Sequence, residues 1–220
     1  DRAAMNAMRC ELDQLPIGGI VVIGDASGIE KASLATGQRV GKPNAEIQFD
    51  IAVDPVEGTS YLARGLTNAM AVMALAPKGS LYQPGPAFYM EKFAAPPAAK
   101  GKIDPTAPVE DKLCALAGIL NKPVRELTVF ALEKPRHNQL VDRIHALGSR
   151  VALYPAGDVG GALMAAIPGS GIDALVGTGG TPEGILSACA IRTLGGEFQA
   201  RLDPQLPSEI AAVKKAGLDT

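Results

Sequence analysis

The sequence has no run of the roughly 18 consecutive apolar residues that a membrane-spanning helix needs, and no basic start leading into the apolar stretch of a signal peptide. A cytoplasmic location without a membrane partner is the default expectation. It also lacks any block of like charge. Lys and Arg (21) and Asp and Glu (23) are spread along the chain and the net charge is −2, so no electrostatic footprint for nucleic acid or an anionic surface is present. Any anion must therefore be held locally. Cysteine is scarce: Cys10, Cys114 and Cys189 are odd in number and have no C-x-x-C spacing, which argues against a disulfide framework and a thiolate zinc site. Reduced, mostly buried thiols are expected. Internal repeats and low-complexity tracts are missing too, with "AAPPAAKGK" (94–102) the nearest approach to an exposed connector.

What is there suits a folded protein. Apolar residues make up 47% and charged residues 20% of 220, enough to build a core of one large or two modest domains. Two are expected: a metal-binding α+β domain over 1–122 and an α/β domain over 123–220, both partial. The first residue is Asp1, and "DRAAMNAMRCELDQL" places Ala4, Met5, Met8 and Leu12 at helical spacing, as in a helix already under way. The end, "SEIAAVKKAGLDT", is a short amphipathic helix running into a polar tail. Truncation at both ends is the expectation.

Between these helices, "GGIVVIGDASG" is a β-branched run delivered into a turn, which puts Asp25 at a strand end. "EIQFDIAVDPVEGTS" repeats the pattern, and Pro55, having no amide donor, is expected to stop the ladder, which puts Asp54 and Glu57 at a second strand end. "AMAVMALAP" and "SLYQPGPAFYMEKFAAPP" suggest strands around a hairpin. From about Thr106 the apolar spacing alternates between strand and helix, the signature of a parallel α/β layer whose ligands gather at the carboxyl ends of its strands.

The chemistry concentrates in "DPVEGTS" (54–60). Hard cations such as Mg²⁺ prefer carboxylate and water oxygens and keep positions open for a substrate phosphate. Asp54 and Glu57 bracket a stiff Pro55, Gly58 lets the backbone approach an anion, and Thr59 offers a hydroxyl to orient water. An acidic turn is the bland alternative. "GTGGTPEG" (177–184) reads as a Gly-rich loop between an apolar strand and a helix, so its amides could face an anion, or the glycines could simply serve packing. Lys134, Arg136 and His137 in "EKPRH" suit a second phosphate or a solvated helix start, and Asp158 in "PAGDVGG" suits a ligand or an N-cap.

Taken in order, "DRAAMNAMR", "VVIGD", "DIAVDPVEGT", "FYMEKFAAPPAAKGKID", "KPRH", "GDV" and "GGTPEG" resemble the class II fructose-1,6-bisphosphatases, some of which also act on sedoheptulose 1,7-bisphosphate. The "DPxEGT" element is shared with the wider inositol-monophosphatase-like superfamily. The resemblance implies an α/β fold of layered αβαβα type, with a mixed-sheet first half and a parallel second half. It implies hydrolysis of the 1-phosphate of fructose 1,6-bisphosphate, as in gluconeogenesis, assisted by Mg²⁺ or Mn²⁺. The partner expected is a small sugar bisphosphate, and the assembly a homo-oligomer.

Carried across residue by residue, the resemblance makes Asp1 and Asp25 ligands of one metal, and Asp54, Glu57 and Glu183 ligands of another. Asp54, Glu57 and Thr59 become catalytic. Glu57, Gly58, Thr59, Tyr89, Lys134, Pro135, Arg136, Gly157, Asp158 and Gly180 become substrate contacts. The chain departs from the family where "IGDASGIEKAS" replaces "IGEGExDEAP", giving Asp25 for Glu and Ser27 for a second acid, and where Ala156 stands in "AGD" for "DGD". The resemblance implies that roughly thirty residues before Asp1 and about a hundred after Thr220 are absent relative to family members, more than terminal fraying. Two rivals stay open: a non-catalytic sugar-phosphate-binding relative, and a phosphatase of another small ester such as inositol phosphate.

Overall fold

A computed structural model describes residues 2–24 and 34–218. The chain divides into two compact units, Asp1–Pro84 and Gly85–Thr220. The domain boundary expected at 122/123 lies inside the second unit.

In the first unit, helix α1 (Arg2–Gln14) buries Met5 and Leu12, seven positions and about two turns apart, on one face. Strands β1 (Gly18–Ile23), β2 (Arg39–Gly41), β3 (Ile47–Glu57) and β4 (Met70–Pro77) form a sheet of order β2-β1-β3-β4, with a five-residue helix α2 (Thr59–Ala63) after β3. β1 and β3 are parallel, whereas β2 and β4 are antiparallel to their neighbours. Leu12 of α1 packs with Val21, Leu34, Val40, Ile51 and Val53, so the helix covers the sheet face that its apolar stripe requires.

The second unit carries a sheet of order β7-β6-β8-β5-β9, from β5 (Tyr89–Ala95), β6 (Thr128–Leu132), β7 (Arg150–Tyr154), β8 (Ala174–Gly180) and β9 (Glu197–Leu202). Strands β7, β6 and β8 are parallel; β5 runs antiparallel to both β8 and β9. Alternate side chains separate two cores, as the strand period of two dictates. Phe93, Ala95, Val129, Ala174 and Val176 pack with Val109, Leu113, Leu116 and Ala117 of α3 (Val109–Leu120) and Ile144 of α4 (Asn138–Ala146). Ala94, Phe130, Leu132 and Leu175 pack with Ala162, Ala165 and Ala166 of α5 (Asp158–Ala166) and Ile191 of α6 (Thr181–Leu194). Three layers result, helix, sheet and helix. A Cβ on Gly161 would stand 2.6 Å from the Phe130 ring, so glycine there lets α5 lie close on β6. Helix α7 (Pro207–Lys215) closes the unit, burying Val213 against Met90 and Leu202.

The expected α/β class is borne out, and four local expectations are corrected. The ladder does not stop at Pro55: β3 runs to Glu57. Its pairing with β4 shifts there, with Asp54 opposite Val72 and Glu57 opposite Met70, so three steps on β3 face two on β4. That extra residue is a bulge, which is how a strand tolerates a proline without an amide to donate. β4 and β5 form no hairpin; they belong to different sheets. The "GTGG" stretch is strand, not loop, because β8 continues to Gly180 and α6 starts at the next residue. "EFQARL" forms β9, whose alternation the sequence reading passed over. The thiols differ as well: Cys10 and Cys114 are exposed and Cys189 half-buried. No helix among the described residues is long and apolar enough to cross a membrane.

Candidate active site

In the first unit, the bulge at Pro55 decides where the acids sit. Asp54 Oδ1 accepts the Val56 amide at 3.0 Å, closing a small turn over the proline. Glu57, 3% exposed, follows at the strand end, and a carboxylate oxygen of Asp54 lies within 4.8 Å of one of Glu57. Two negative charges at that separation repel by about 3 kcal/mol at an effective dielectric near 20, which a cation between them converts into attraction. Gly58 has φ +79°, and a Cβ there would meet the Tyr61 ring at 2.8 Å, so glycine is required on both counts. It hands the chain to α2, whose first residue is the exposed Thr59. Asp54, Glu57, Gly58 and Thr59 thus form one continuous feature. Asp1, Asp25 and Ser27, the remaining expected first-half positions, lie outside the described residues.

In the second unit, the expected substrate contacts gather at one rim of the sheet. Lys134, Pro135 and Arg136 follow the carboxyl end of β6; Gly157 and Asp158 follow β7; Gly180 ends β8 and Glu183 lies in the first turn of α6. Tyr89 joins them because β5 is antiparallel and begins where β8 ends, with Tyr89 opposite Gly180. This is the rim at which open α/β sheets take ligands.

Arg136 is held in advance. Its Nε donates to the Thr178 carbonyl at 2.9 Å, and its guanidinium carbon lies 5.1 Å from the Tyr89 ring centroid, a cation–π stack. His137, expected to suit a phosphate, is instead buried and committed. Its Nδ1–H donates to the Leu132 carbonyl at 2.7 Å, and its Nε2 accepts the Thr178 amide at 2.8 Å. Both nitrogens being occupied by backbone, the ring is a neutral strut between β6 and β8. Burial is the main cause that pushes its pKa below the ordinary value. Thr178 completes the brace by donating its hydroxyl to Asp203 Oδ2 at 2.5 Å.

Asp158 is not an N-cap. Gly157, with φ +86°, holds that position, and Asp158 is the first residue of α5. Its Oδ2 accepts the Lys92 ammonium at 2.5 Å, with Lys92 1% and Asp158 6% exposed. The glycines of "GTGGTPEG" have a shared explanation, which is room for neighbouring side chains, polar ones at Gly177, Gly179 and Gly180. A Cβ on Gly177 would stand 2.9 Å from His137 Nε2; one on Gly179 would overlap Asp158 Oδ2, and one on Gly180 would overlap Glu183 Oε2. A Cβ on Gly184 would overlap Met90 Sδ and press on Lys92 Cε at 3.0 Å.

Two buried charges escaped the sequence reading, Lys92 and Glu209. Glu209 is 1% exposed; Oε1 accepts the Phe88 and Tyr89 amides at 2.6 and 2.9 Å, and Oε2 accepts the Gln205 and Leu206 amides at 2.9 and 3.4 Å. It therefore fixes the backbone that presents Tyr89. The available signal was weak: a lysine inside the apolar "YMEKFAAP" and a Glu three residues after Leu206.

Comparison with known proteins supplies the context. The family model described as "Bacterial fructose-1,6-bisphosphatase, glpX-encoded" matches residues 1–220. A "D-fructose 1,6-bisphosphatase class 2/sedoheptulose 1,7-bisphosphatase" of Synechococcus sp. (strain JA-3-3Ab) is 43% identical, over 94% of this chain and 63% of that protein. The protein of the same description from Synechococcus sp. (strain JA-2-3B'a(2-13)) is 42% identical over the same shares. Another, from Crocosphaera subtropica (strain ATCC 51142 / BH68), is 39% identical over 100% of this chain and 70% of its own length. The chain thus spans 63% of the length of the two Synechococcus relatives.

Proposed function

The chain belongs to the glpX-encoded bacterial fructose-1,6-bisphosphatase family, and from that premise we propose that it is the core of a metal-dependent phosphatase that removes the 1-phosphate of fructose 1,6-bisphosphate. The names of the relatives support sedoheptulose 1,7-bisphosphate as a second substrate. The observation that carries the reading is the close Asp54–Glu57 carboxylate pair, delivered by a bulged strand end straight into Gly58 and Thr59.

The donor set fits a hard divalent ion, since paired carboxylate oxygens suit Mg²⁺ or Mn²⁺ and leave room for water and phosphate. The family resemblance assigns Asp54, Glu57 and Glu183 to one ion, and Asp1 and Asp25 to a second. An ion held by these residues would supply polarisation of the phosphate and a lowered pKa for water.

The chain's own groups do the positioning. Thr59 is proposed to orient the attacking water with its hydroxyl, and the Gly58 backbone to approach the scissile phosphate. Arg136 and Lys134 are proposed to grip the far phosphate, the bracing of Arg136 by Tyr89 and Thr178 reducing the side-chain entropy lost on binding. Binding energy from that end then aligns the reacting one. Asp158, Gly157 and Gly180 are assigned to the sugar between, and Pro135 to shaping the Lys134–Arg136 turn. A reducing, cytoplasmic setting is inferred from cysteines with no disulfide among them.

Phosphate release from fructose 1,6-bisphosphate, measured on the full-length protein with and without Mg²⁺ or Mn²⁺, tests the proposal. Metal-dependent release is expected; tight bisphosphate binding without hydrolysis under either metal would reject it in favour of a binding protein.

A further inference from the structure

Lys92 is the most deeply buried cation in the second unit's sheet, 1% exposed in the middle of β5. Its neighbours on the same face of the strand, Met90 and Ala94, are apolar and buried, so nothing on that face calls for an ammonium. Removing two charges from water costs more than a single ion pair ordinarily returns, and a well-packed apolar pair is often more stable. A buried pair is thus poorly explained by stability alone.

Its surroundings are built to admit it. A Cβ on Gly179 would overlap Asp158 Oδ2 and stand 3.1 Å from Lys92 Nζ, and a Cβ on Gly184 would stand 3.0 Å from Lys92 Cε. Gly179, at the end of β8, makes space for the ion pair itself, and Gly184, at the start of α6, for Met90 Sδ first and then the Lys92 stem. The pair ends at the sheet rim, because Asp158 opens α5 directly after the αL residue Gly157. Two residues earlier stands Ala156, which has no polar group to share in recognising a sugar. Asp158 is then the carboxylate left in that turn, and a single carboxylate on a rotatable Cα–Cβ bond needs a fixed orientation to discriminate hydroxyl positions.

We propose that Lys92 is a positioning residue for substrate recognition: its ammonium, fixed on β5, clamps Asp158 Oδ2 so that the carboxylate faces the rim in one orientation and accepts a sugar hydroxyl. The inference rests on the assignment of Asp158 to the sugar. Lys92 itself touches no substrate, and its effect passes through Asp158. Because the contact is made to a part of the sugar that does not react, ground state and transition state gain alike, and the effect falls on KM with kcat little changed.

A double-mutant cycle of Lys92→Met and Asp158→Asn in the full-length protein tests this, with kcat, KM for fructose 1,6-bisphosphate and thermal midpoint read for all four proteins. Each single variant is expected to raise KM roughly ten- to a hundred-fold, as loss of a charge-assisted hydrogen bond does, with kcat within about three-fold. Lys92→Met, which strands a buried carboxylate, is expected to melt lowest. The double variant should recover much of that melting loss yet keep the KM of Asp158→Asn. If Lys92→Met does not fold, the comparison of Asp158→Asn with the double variant decides. Wild-type KM in any folded variant overturns the inference, and so does a double variant whose KM is the product of the two single effects, since Lys92 would then act independently of Asp158. Wild type without turnover on any sugar bisphosphate overturns the functional reading and this inference with it. Wild-type turnover with an unmoved KM in the variants overturns the inference alone.

Discussion

Replacing Glu209 by Gln isolates the cost of one buried carboxylate with little change of shape. Each oxygen of Glu209 accepts two backbone amides: Phe88 and Tyr89 on one side, Gln205 and Leu206 on the other. Gln carries one oxygen and one NH₂, so whichever way it turns, a donor faces two donors. The cheaper orientation sets the NH₂ against Gln205 and Leu206, where one of the two bonds is the long one at 3.4 Å. It still loses one good charge-assisted bond and neutralises the acceptor for the rest, in a site 1% exposed where water cannot substitute. About 3 kcal/mol is expected, from 1.5–3 for a hydrogen bond to a charged group plus the donor clash. In a chain of this length that lowers the thermal midpoint by about 6–12 °C. The companion effect is on recognition: the released amides free Tyr89, the Arg136 stack loosens, and KM rises. Urea denaturation checks the first part and steady-state kinetics the second. A loss of stability below about 1 kcal/mol would refute the reasoning, because the four amides would then have had equally good partners elsewhere.

Glu57→Gln should cut metal-dependent phosphate release at least about a hundred-fold with the circular-dichroism spectrum unchanged; unaltered turnover would reject its role as a ligand. Arg136→Lys, which keeps the charge but loses the planar stack on Tyr89 and the Nε bond to Thr178, should raise KM roughly ten-fold. Gly179→Ala forces a methyl group against Asp158 and Lys92 and should cost about 2 kcal/mol in urea denaturation. His137 has a folded pKa below its unfolded value of about 6.5, so the unfolded chain takes up protons that the folded one does not. Its contribution to stability is complete above about pH 6.5 and is lost as the pH falls from there towards the depressed folded value. His137→Asn should flatten this slope in urea titrations between pH 7.5 and 5.5.

The parts of this protein legible in its sequence are those with a local physical signature. A helical stripe through Met5, Met8 and Leu12 can only face a core, and "KLCALAGIL", "QLVDRIHAL" and "ALMAA" alternate with β-branched runs at the spacing of an α/β layer. The Asp54–Glu57 pair was legible because proline, glycine and two acids within five residues leave few alternatives. Where the reading failed, the missing information was tertiary. Pro55 argues for a strand end unless a bulge absorbs it, and only the pairing of β3 with β4 supplies that bulge. "AMAVMALAP" and "YMEKFAAP" are near enough to be hairpin partners, yet β5 is taken up between β8 and β9, whose sequences lie some hundred residues on.

The charges mark the same boundary from the other side. Lys92 and Glu209 are charged residues that, taken one at a time, would be placed in solvent, and charged side chains are almost never fully buried without a partner. What decides their burial is a complement that no local window contains: Asp158 for Lys92, and the amides of Phe88 and Tyr89 for Glu209. The glycines of "GTGGTPEG" are the imprint of that complement. Read alone they suggest a flexible anion-binding loop; in the fold they are rigid strand and helix residues, small because His137, Asp158, Glu183 and Lys92 need their space. A glycine cluster can therefore report the side chains packed against it as readily as a ligand. In this chain the two meanings converge, since three of those four side chains line the rim where the substrate is proposed to bind or brace the groups that do.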